Sequence, residues 1–486
     1  MFKNGFLMMI IILISRVLGL FRSVVLAYYF GAGAITDAYY SAFKISNFFR
    51  QLLGEGALGN SFIPLYNDKL VEDGEEESKK FIFSVLNLVF LFSTTVTILT
   101  IVFSDTIIQF TVRGFNEETK ALASTLLKIM SSYFIFISMS GMICAILNNF
   151  KKFLIPASTG IFFNLVLICS ASIAGKENGI KILGYGVVVA GLVQLLIVLP
   201  SFFNIVKSYS FKINFKDKYL LKIFIMLGPM LIGIFAKQVN TIIDQYFASY
   251  LNIGGVSALE NATRIYNLPI GVFGITISTL IFPVLAKAIS NNEMQVVEKN
   301  MVKGLNILLF FIIPSIFVLT VYSKDIIRLI LSYGSFNEKN VLITADALCY
   351  YSLGLYFYTA IHIMTKGFYG MKNTKDPVKF SIVSIVINIL LNWLLIDKMQ
   401  YKGLALSTAI ASGVNFLCLM YVFNKKYIVF NYKKIFLFFS MTLITATISL
   451  VCSYSIENTL LKLLIFAIVY LLMWIIPFYK KRMEIF

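Results

Sequence analysis

The sequence predicts an all-α polytopic membrane protein. It has room for about 14 transmembrane helices, arranged as two pseudo-symmetric six-helix lobes around a central cavity, with two more helices at the C-terminus. Three observations predict this. The 486 residues are 58% hydrophobic and only 14% charged, with mean hydropathy +0.83. Apolar runs long enough to cross a hydrocarbon core of about 30 Å recur along the chain, joined by short connections. A pattern near the N-terminus returns about 220 residues later, as transporter repeats do.

The first predicted helix covers about 6–29, and the absence of a small-residue cleavage site marks it as a retained span rather than a leader. The second, about 35–66, is long and polar on one side. Gly54 and Gly56 interrupt it, and a broken helix survives in a membrane only where it lines a cavity or packs on protein. Glu72 to Lys80 is too charged for lipid and reads as a solvated loop. Helices 3 to 6 fall near 81–110, 120–148, 155–174 and 181–206, and are apolar enough to be scaffold.

The basic, amphipathic stretch 207–222 predicts a surface connection between two lobes. Helices 7 and 8, about 223–250 and 255–288, bring polar groups back into the membrane: Lys237, Gln238, Asn240, Asp244, Glu260 and Arg264. Helices 9 to 12 follow near 301–322, 340–370, 378–397 and 402–424, and the last two near 434–454 and 459–478. The domain division is therefore 1–212, 213–424 and 425–486. The last two helices provide either an apolar groove for a long lipid tail or more scaffold.

The formal charge is +18, from 42 Lys and Arg against 24 Asp and Glu. With the N-terminus inside, Lys and Arg favour the cytoplasmic loops roughly two to one, which predicts both termini in the cytoplasm. This accounts for the basicity without nucleic acid, for which no basic domain stands outside the membrane. Cys144, Cys169, Cys349, Cys418 and Cys452 lie in apolar stretches without metal-site spacing, and His362 is the only histidine. No P-loop or nucleophile elbow is present. The chain reads as a transporter driven by a gradient or by membrane potential, not an enzyme.

The charges that remain in the apolar runs are the informative ones. A charge at mid-bilayer costs roughly 2.5–3.5 kcal/mol on insertion scales. Helix 1 nevertheless carries Ser15-Arg16 and Arg22, and helix 2 carries Asp37, Lys44, Asn47, Arg50 and Glu55. Arg16 and Arg22 are about 120° apart around an ideal helix and about 9 Å apart along it, so both can border one broad cavity. Arg50 and Arg264 add two more guanidiniums. Arginine stays charged and forks onto phosphate oxygens, so four converging groups suit a pyrophosphate. Pairing with Asp37, Glu55, Asp244 or Glu260 to hold helices together is the alternative. Tyr39, Tyr40 and Tyr266 are candidates for stacking on a sugar.

The repeat places Lys44-Ile45-Ser46-Asn47 and Pro64 against Arg264-Ile265-Tyr266-Asn267 and Pro283, each after a glycine pair. Asp244, Asn388 and Asn392 one turn apart, and Thr408 form a second polar set. It is read either as an oxygen-rich Na⁺ site or as interhelical hydrogen bonding.

From Ser15 to Pro64 the chain resembles the MurJ (MviN) family of lipid II flippases, within the superfamily of multidrug, oligosaccharidyl-lipid and polysaccharide exporters. The resemblance rests on Ser15-Arg16-Val17-Leu18-Gly19 with Arg22, Phe30-Gly31-Ala32-Gly33 with Thr36-Asp37-Ala38, Ala42-Phe43-Lys44 with Asn47, Arg50, Glu55-Gly56-Ala57, and Phe62-Ile63-Pro64. Ala262 and the run Arg264 to Gly274 supply a second match.

The resemblance implies alternating access in the bacterial cytoplasmic membrane. Lipid II, an undecaprenyl-pyrophosphate-linked disaccharide peptide, would pass from the inner to the outer leaflet. It puts the family's cavity arginines on Arg16, Arg22, Arg50 and Arg264 and its helix-2 aspartate on Asp37. It implies membrane lipids and cell-wall synthesis proteins as partners. A family sodium site would fall on Asp244, Asn388, Asn392 and Thr408, but Asn392 stands where a second carboxylate is expected. Otherwise no cofactor is implied. A flippase for another undecaprenyl-pyrophosphate-linked glycan, such as a capsule or teichoic-acid precursor, shares the same chemistry. A non-transporting scaffold for cell-wall enzymes is the rival from another class.

Overall fold

In a computed structural model, the structure describes residues 2–53, 57–175, 179–207 and 209–479. The described residues form nineteen α-helices and one π-helical segment, with no strand. Among the described residues nine helices are long and apolar enough to cross a membrane, or up to eleven spans if each of two bent pairs is one span. The chain is a multi-pass membrane protein. It divides into two compact units, Met1–Ser257 with Tyr333–Phe336, and Ala258–Ser332 with Asn337–Phe486.

In the first unit, α1 is Phe2–Phe30, α2 Ala34–Leu53, α3 Ala57–Val102, α4 Ser104–Thr111 and α5 Glu117–Met130. Then come α6 Tyr133–Asn149, α7 Leu154–Ala174, α8 Ile180–Val206 and α9 Lys218–Ala248. The bend of 42° between α5 and α6 divides a span the sequence presents as one run. Asn116 starts α5, its side chain accepting from Thr119 N at 2.9 Å. The break expected at Gly54 and Gly56 lies outside the described residues, with helix on both sides.

Two connections differ from expectation. Glu72 to Lys80 is helical apart from Gly74 (φ 82°, ψ −179°), not a loop. Ion pairs one turn apart, Lys79–Glu75 at 2.8 Å and Lys80–Glu77 at 2.6 Å, carry the helix through this charged stretch. Within the basic stretch, residues 209–217 are not helical. The side chain of Asn87 donates to the carbonyls of Ser210 and Lys212 at 2.9 and 3.2 Å, and Asn214 N donates to Ser84 Oγ at 3.1 Å. Bonds to α3 replace the intrahelical ones. The segment ends at Asp217, whose side chain accepts from Tyr219 N at 2.9 Å and starts α9.

The aromatic centre of this unit joins α3 to α9: Phe62 stacks on Phe81 at 5.5 Å, and Phe81 meets Tyr219 edge-on at 6.1 Å. Beside it Lys69 is buried between Asp73, at 2.9 Å, and Asp217, at 3.0 Å. The turn Tyr333–Phe336 also belongs here. Ser335 N donates to Tyr28 O at 2.8 Å and Ser335 Oγ to Tyr29 O at 3.1 Å, so it caps carbonyls at the end of α1. Gly334 (φ +62°) is needed for this approach, because a Cβ there would lie 2.3 Å from Tyr28 O.

The second unit begins within α10, Gly255–Pro269, which passes through the π-helical segment Ile270–Ile275 into α11, Thr276–Ser290. Pro269 and Pro283 interrupt the ordinary backbone ladder of this long span. It continues with α12 Met294–Val321, α13 Ser323–Leu331, α14 Glu338–Ser352, α15 Leu355–Gly370, α16 Lys375–Met399 and α17 Tyr401–Lys426. Last come α18 Tyr432–Tyr454 and α19 Thr459–Tyr479. Buried Thr442, Thr445, Ser449 and Ser453 form a stripe of small residues on α18, which allows close packing without a hydrophobic driving force. Trp474 of α19 donates to Thr445 Oγ1 at 3.2 Å, and Tyr470 donates to Phe310 O of α12 at 2.8 Å.

Candidate functional site

The polar residues of α1 and α2 belong to the first unit, and their surroundings follow from helix packing. Small residues let α1 and α7 approach closely: a Cβ on Gly160 would lie 2.5 Å from Ser15 Oγ. Asn164 of α7 donates to Ser15 O at 3.0 Å. Arg16 is half-buried on α1. Arg22, six residues further, is 8% exposed, and its guanidinium carbon lies 5.5 Å from the centre of the Phe163 ring. An aromatic face is one of the few apolar surfaces that stabilises a guanidinium.

On α2, Arg50 Nε donates to Asn47 Oδ1 at 2.8 Å, which links two of the predicted residues one turn apart. Lys44 lines a cleft with residues of α4 and α9. Glu55 lies outside the described residues. Tyr39 and Tyr40 are 2% and 3% exposed, and Tyr39 stacks on Phe43 at 5.9 Å.

Asp37 is held by the start of α10. It is 3% exposed and accepts three hydrogen bonds: from Gly254 N at 2.7 Å, Ser257 N at 2.8 Å and Ser257 Oγ at 2.6 Å. These donors stand at the N-terminus of α10, where backbone N–H groups lack intrahelical partners and the helix dipole favours an anion. Asp37 therefore serves as a cap supplied from a distant part of the chain. Gly254 (φ +91°) makes the approach possible, since a Cβ there would lie 2.8 Å from Ala32 O. Sequence reading missed Gly254 and Ser257. The available signal was the glycine pair before α10, which marks a turn but not its partner.

In the second unit Arg264 is half-buried on α10. Tyr266 lies between Tyr351 and Tyr358, with ring centres 4.9 and 5.6 Å away. Asn388 donates to Thr408 Oγ1 at 3.3 Å, Asn392 donates to Asn388 Oδ1 at 3.2 Å, and Ser407 donates to Asn392 Oδ1. This chain links α16 to α17 and includes Ser407, which sequence reading did not single out. Asp244, in the first unit, accepts from Asn240 Nδ2 at 3.1 Å. No group of three or more His, Cys, Asp or Glu side chains able to hold a metal occurs among the described residues.

Comparison with known proteins places this arrangement in context. Residues 26–473 match a family model described as lipid II flippase MurJ. A probable lipid II flippase MurJ of Buchnera aphidicola subsp. Schizaphis graminum (strain Sg) is 36% identical over 428 residues, covering 87% of this chain and 83% of the relative. One from Vibrio cholerae serotype O1 is 31% identical over 433 residues, covering 86% and 82%. A solved structure of lipid II flippase MurJ in an inward closed conformation is 30% identical, with TM-score 0.86, and the match covers 98% of this chain and 99% of that one. An inward-facing multidrug resistance MATE family transporter of the MOP superfamily has TM-score 0.73 at 14% identity, covering 85% and 95%, a likeness of fold alone. The chain belongs to the lipid II flippase MurJ family.

Proposed function

We propose that this protein flips lipid II from the cytoplasmic to the outer leaflet of the bacterial cytoplasmic membrane by alternating access. Arg16, Arg22, Arg50 and Arg264 bind the pyrophosphate. One observation carries the reading: a chain matching the lipid II flippase family over residues 26–473 carries arginines on the consecutive helices α1 and α2, with Arg22 only 8% exposed. A fixed, desolvated guanidinium favours a phosphate anion far more than one in water does. No covalent chemistry is required, because flipping moves the headgroup without changing it.

Both termini lie in the cytoplasm in this reading, with lobes over 1–212 and 213–424 and a lipid-tail groove contributed by 425–486. Asp37 acts as a positioning residue through the start of α10. Asn388, Asn392 and Thr408 act as interhelical hydrogen-bonding residues, since the oxygens of both asparagines already accept from neighbours. No step is assigned to Na⁺ at these residues.

The test is made in cells depleted of this chain. The lipid II exposed to a membrane-impermeant degrading enzyme is measured, then measured again with Arg16→Ala or Arg264→Ala as the sole copy. Loss of exposed lipid II with build-up inside, reproduced by variants that still insert, is expected. Unchanged exposure in cells without a second flippase overturns the reading and turns attention to another polyprenyl-linked glycan. Normal growth with both variants overturns the role of the arginines.

A further inference from the structure

Within the first unit, the connection between α8 and α9 meets α3 at a defined height. The last charged residue of α3 is Lys80, and the first run of exposed apolar side chains on it is Phe90, Leu91 and Phe92. Ser84 and Asn87, which hold the connection, lie between these two marks. At 1.5 Å per residue, Asn87 is about 4.5 Å and Ser84 about 9 Å from Phe90 along the helix. That is the depth at which a bilayer passes from hydrocarbon to headgroups.

The connection carries one dipeptide twice, Phe211-Lys212 and Phe215-Lys216, on either side of Asn214. Other residues make its inward contacts. Tyr209 meets Phe83 edge-on at 5.3 Å and donates to Asn87 Oδ1, and Asn214 N donates to Ser84 Oγ. Phe211 and Phe215 are left 83% and 74% exposed, and Lys212 and Lys216 are exposed beside them. The carboxylates at this end of α9 are engaged elsewhere, Asp217 by Lys69 and Glu72 by Lys218. A bias of lysine toward one side of the membrane accounts for the cations but not for the phenylalanines beside them. Apolar rings with adjacent cations, at the edge of the hydrocarbon, fit an anionic lipid surface.

We propose that residues 209–217 are a strap seated on that surface. Phe211 and Phe215 enter the bilayer interface, and Lys212 and Lys216 hold the phosphates of anionic lipids. The strap belongs to the first unit alone and does not depend on what the protein transports.

The test uses the full-length protein in nanodiscs of equimolar phosphatidylcholine and phosphatidylglycerol. The chain has two tryptophans: Trp393→Phe removes the exposed one, and buried Trp474 gives a constant background. Into this parent, Phe211→Trp and Phe215→Trp each place a fluorophore on the strap, so either can serve if the other fails to fold. Bromine, a contact quencher, is carried on the chains of one lipid or the other. Quenching by both lipids is expected, stronger by at least about twofold when the phosphatidylglycerol is brominated, with little quenching by aqueous acrylamide. Lys212→Gln with Lys216→Gln should equalise the two lipids. Strong acrylamide quenching without lipid quenching overturns the proposal and leaves the strap to a soluble partner. Equal quenching by the two lipids with both lysines present overturns the anionic preference. A preference that survives loss of both lysines overturns their role.

Discussion

Asp37 and Ser257 are joined twice, through the backbone N–H and the hydroxyl of Ser257, across 220 positions of sequence. The carboxylate takes the place of the local cap that α10 lacks. Asp37→Ala leaves the N–H groups of Gly254 and Ser257 buried without that partner, at about 1–3 kcal/mol each. Ser257→Ala removes only the hydroxyl, at about 1 kcal/mol. Thermal unfolding of the purified variants should rank them in that order. A double-mutant cycle should show coupling of about 1 kcal/mol, and additive effects would exclude the bond between the Asp37 carboxylate and the Ser257 hydroxyl.

Lys69 is compensated on both sides, by Asp73 and Asp217, and removing it strands Asp217 in a buried position. Breaking a buried pair by deleting one partner typically costs about 3–5 kcal/mol. Lys69→Ala should therefore be markedly unstable, whereas Lys80→Ala, whose pair with Glu77 is exposed, should cost less than about 0.5 kcal/mol. Similar losses in the two variants would show that the Lys69 cluster is solvated.

Gly334→Ala should lower the melting temperature by several degrees, because the new Cβ collides with Tyr28 O at a positive φ. Gly33→Ala is the control, since a Cβ there meets nothing within 4 Å. Equal behaviour of the two variants would show that the turn does not hold the end of α1.

Arg22→Lys keeps the charge and loses the planar group facing Phe163. We expect folding to be retained and transport to fall about tenfold, because a lysine ammonium binds phosphate as a point charge rather than a fork. Wild-type rates from Arg22→Lys would mean that charge alone is used.

Replacing Na⁺ by K⁺ should leave the melting temperature and transport unchanged if Asn388, Asn392, Ser407 and Thr408 serve as hydrogen-bonding residues between α16 and α17. A Na⁺-dependent rise in melting temperature, abolished in Asn388→Leu, would restore the cation reading.

The helices were legible because lipid leaves few choices: an apolar run must satisfy its own backbone, so its length reports a span. The charged residues on α1 and α2 stood out for the same energetic reason. What did not show was anything decided by a distant partner. The charge run Glu72 to Lys80 reads as a loop by composition, but turn-to-turn ion pairs keep most of it helical. The connection 209–217 depends on Asn87 and Ser84, more than 120 positions away. Asp37 reads as a ligand for substrate in isolation, and only its three donors at the head of α10 reveal a capping contact.

The turn at Tyr333–Phe336 has a consequence for biosynthesis. The first unit is built from residues up to Ser257, yet the carbonyls at the end of α1 are capped by Ser335. During synthesis those carbonyls emerge roughly 300 residues before their partner, which at about 5–20 residues per second is a wait of tens of seconds at the slower rate. The nascent first unit must therefore persist with one end uncapped, and an N-terminal fragment cut after Ser257 never acquires that cap. Co-expressed halves of this protein would regain it only by reassembly.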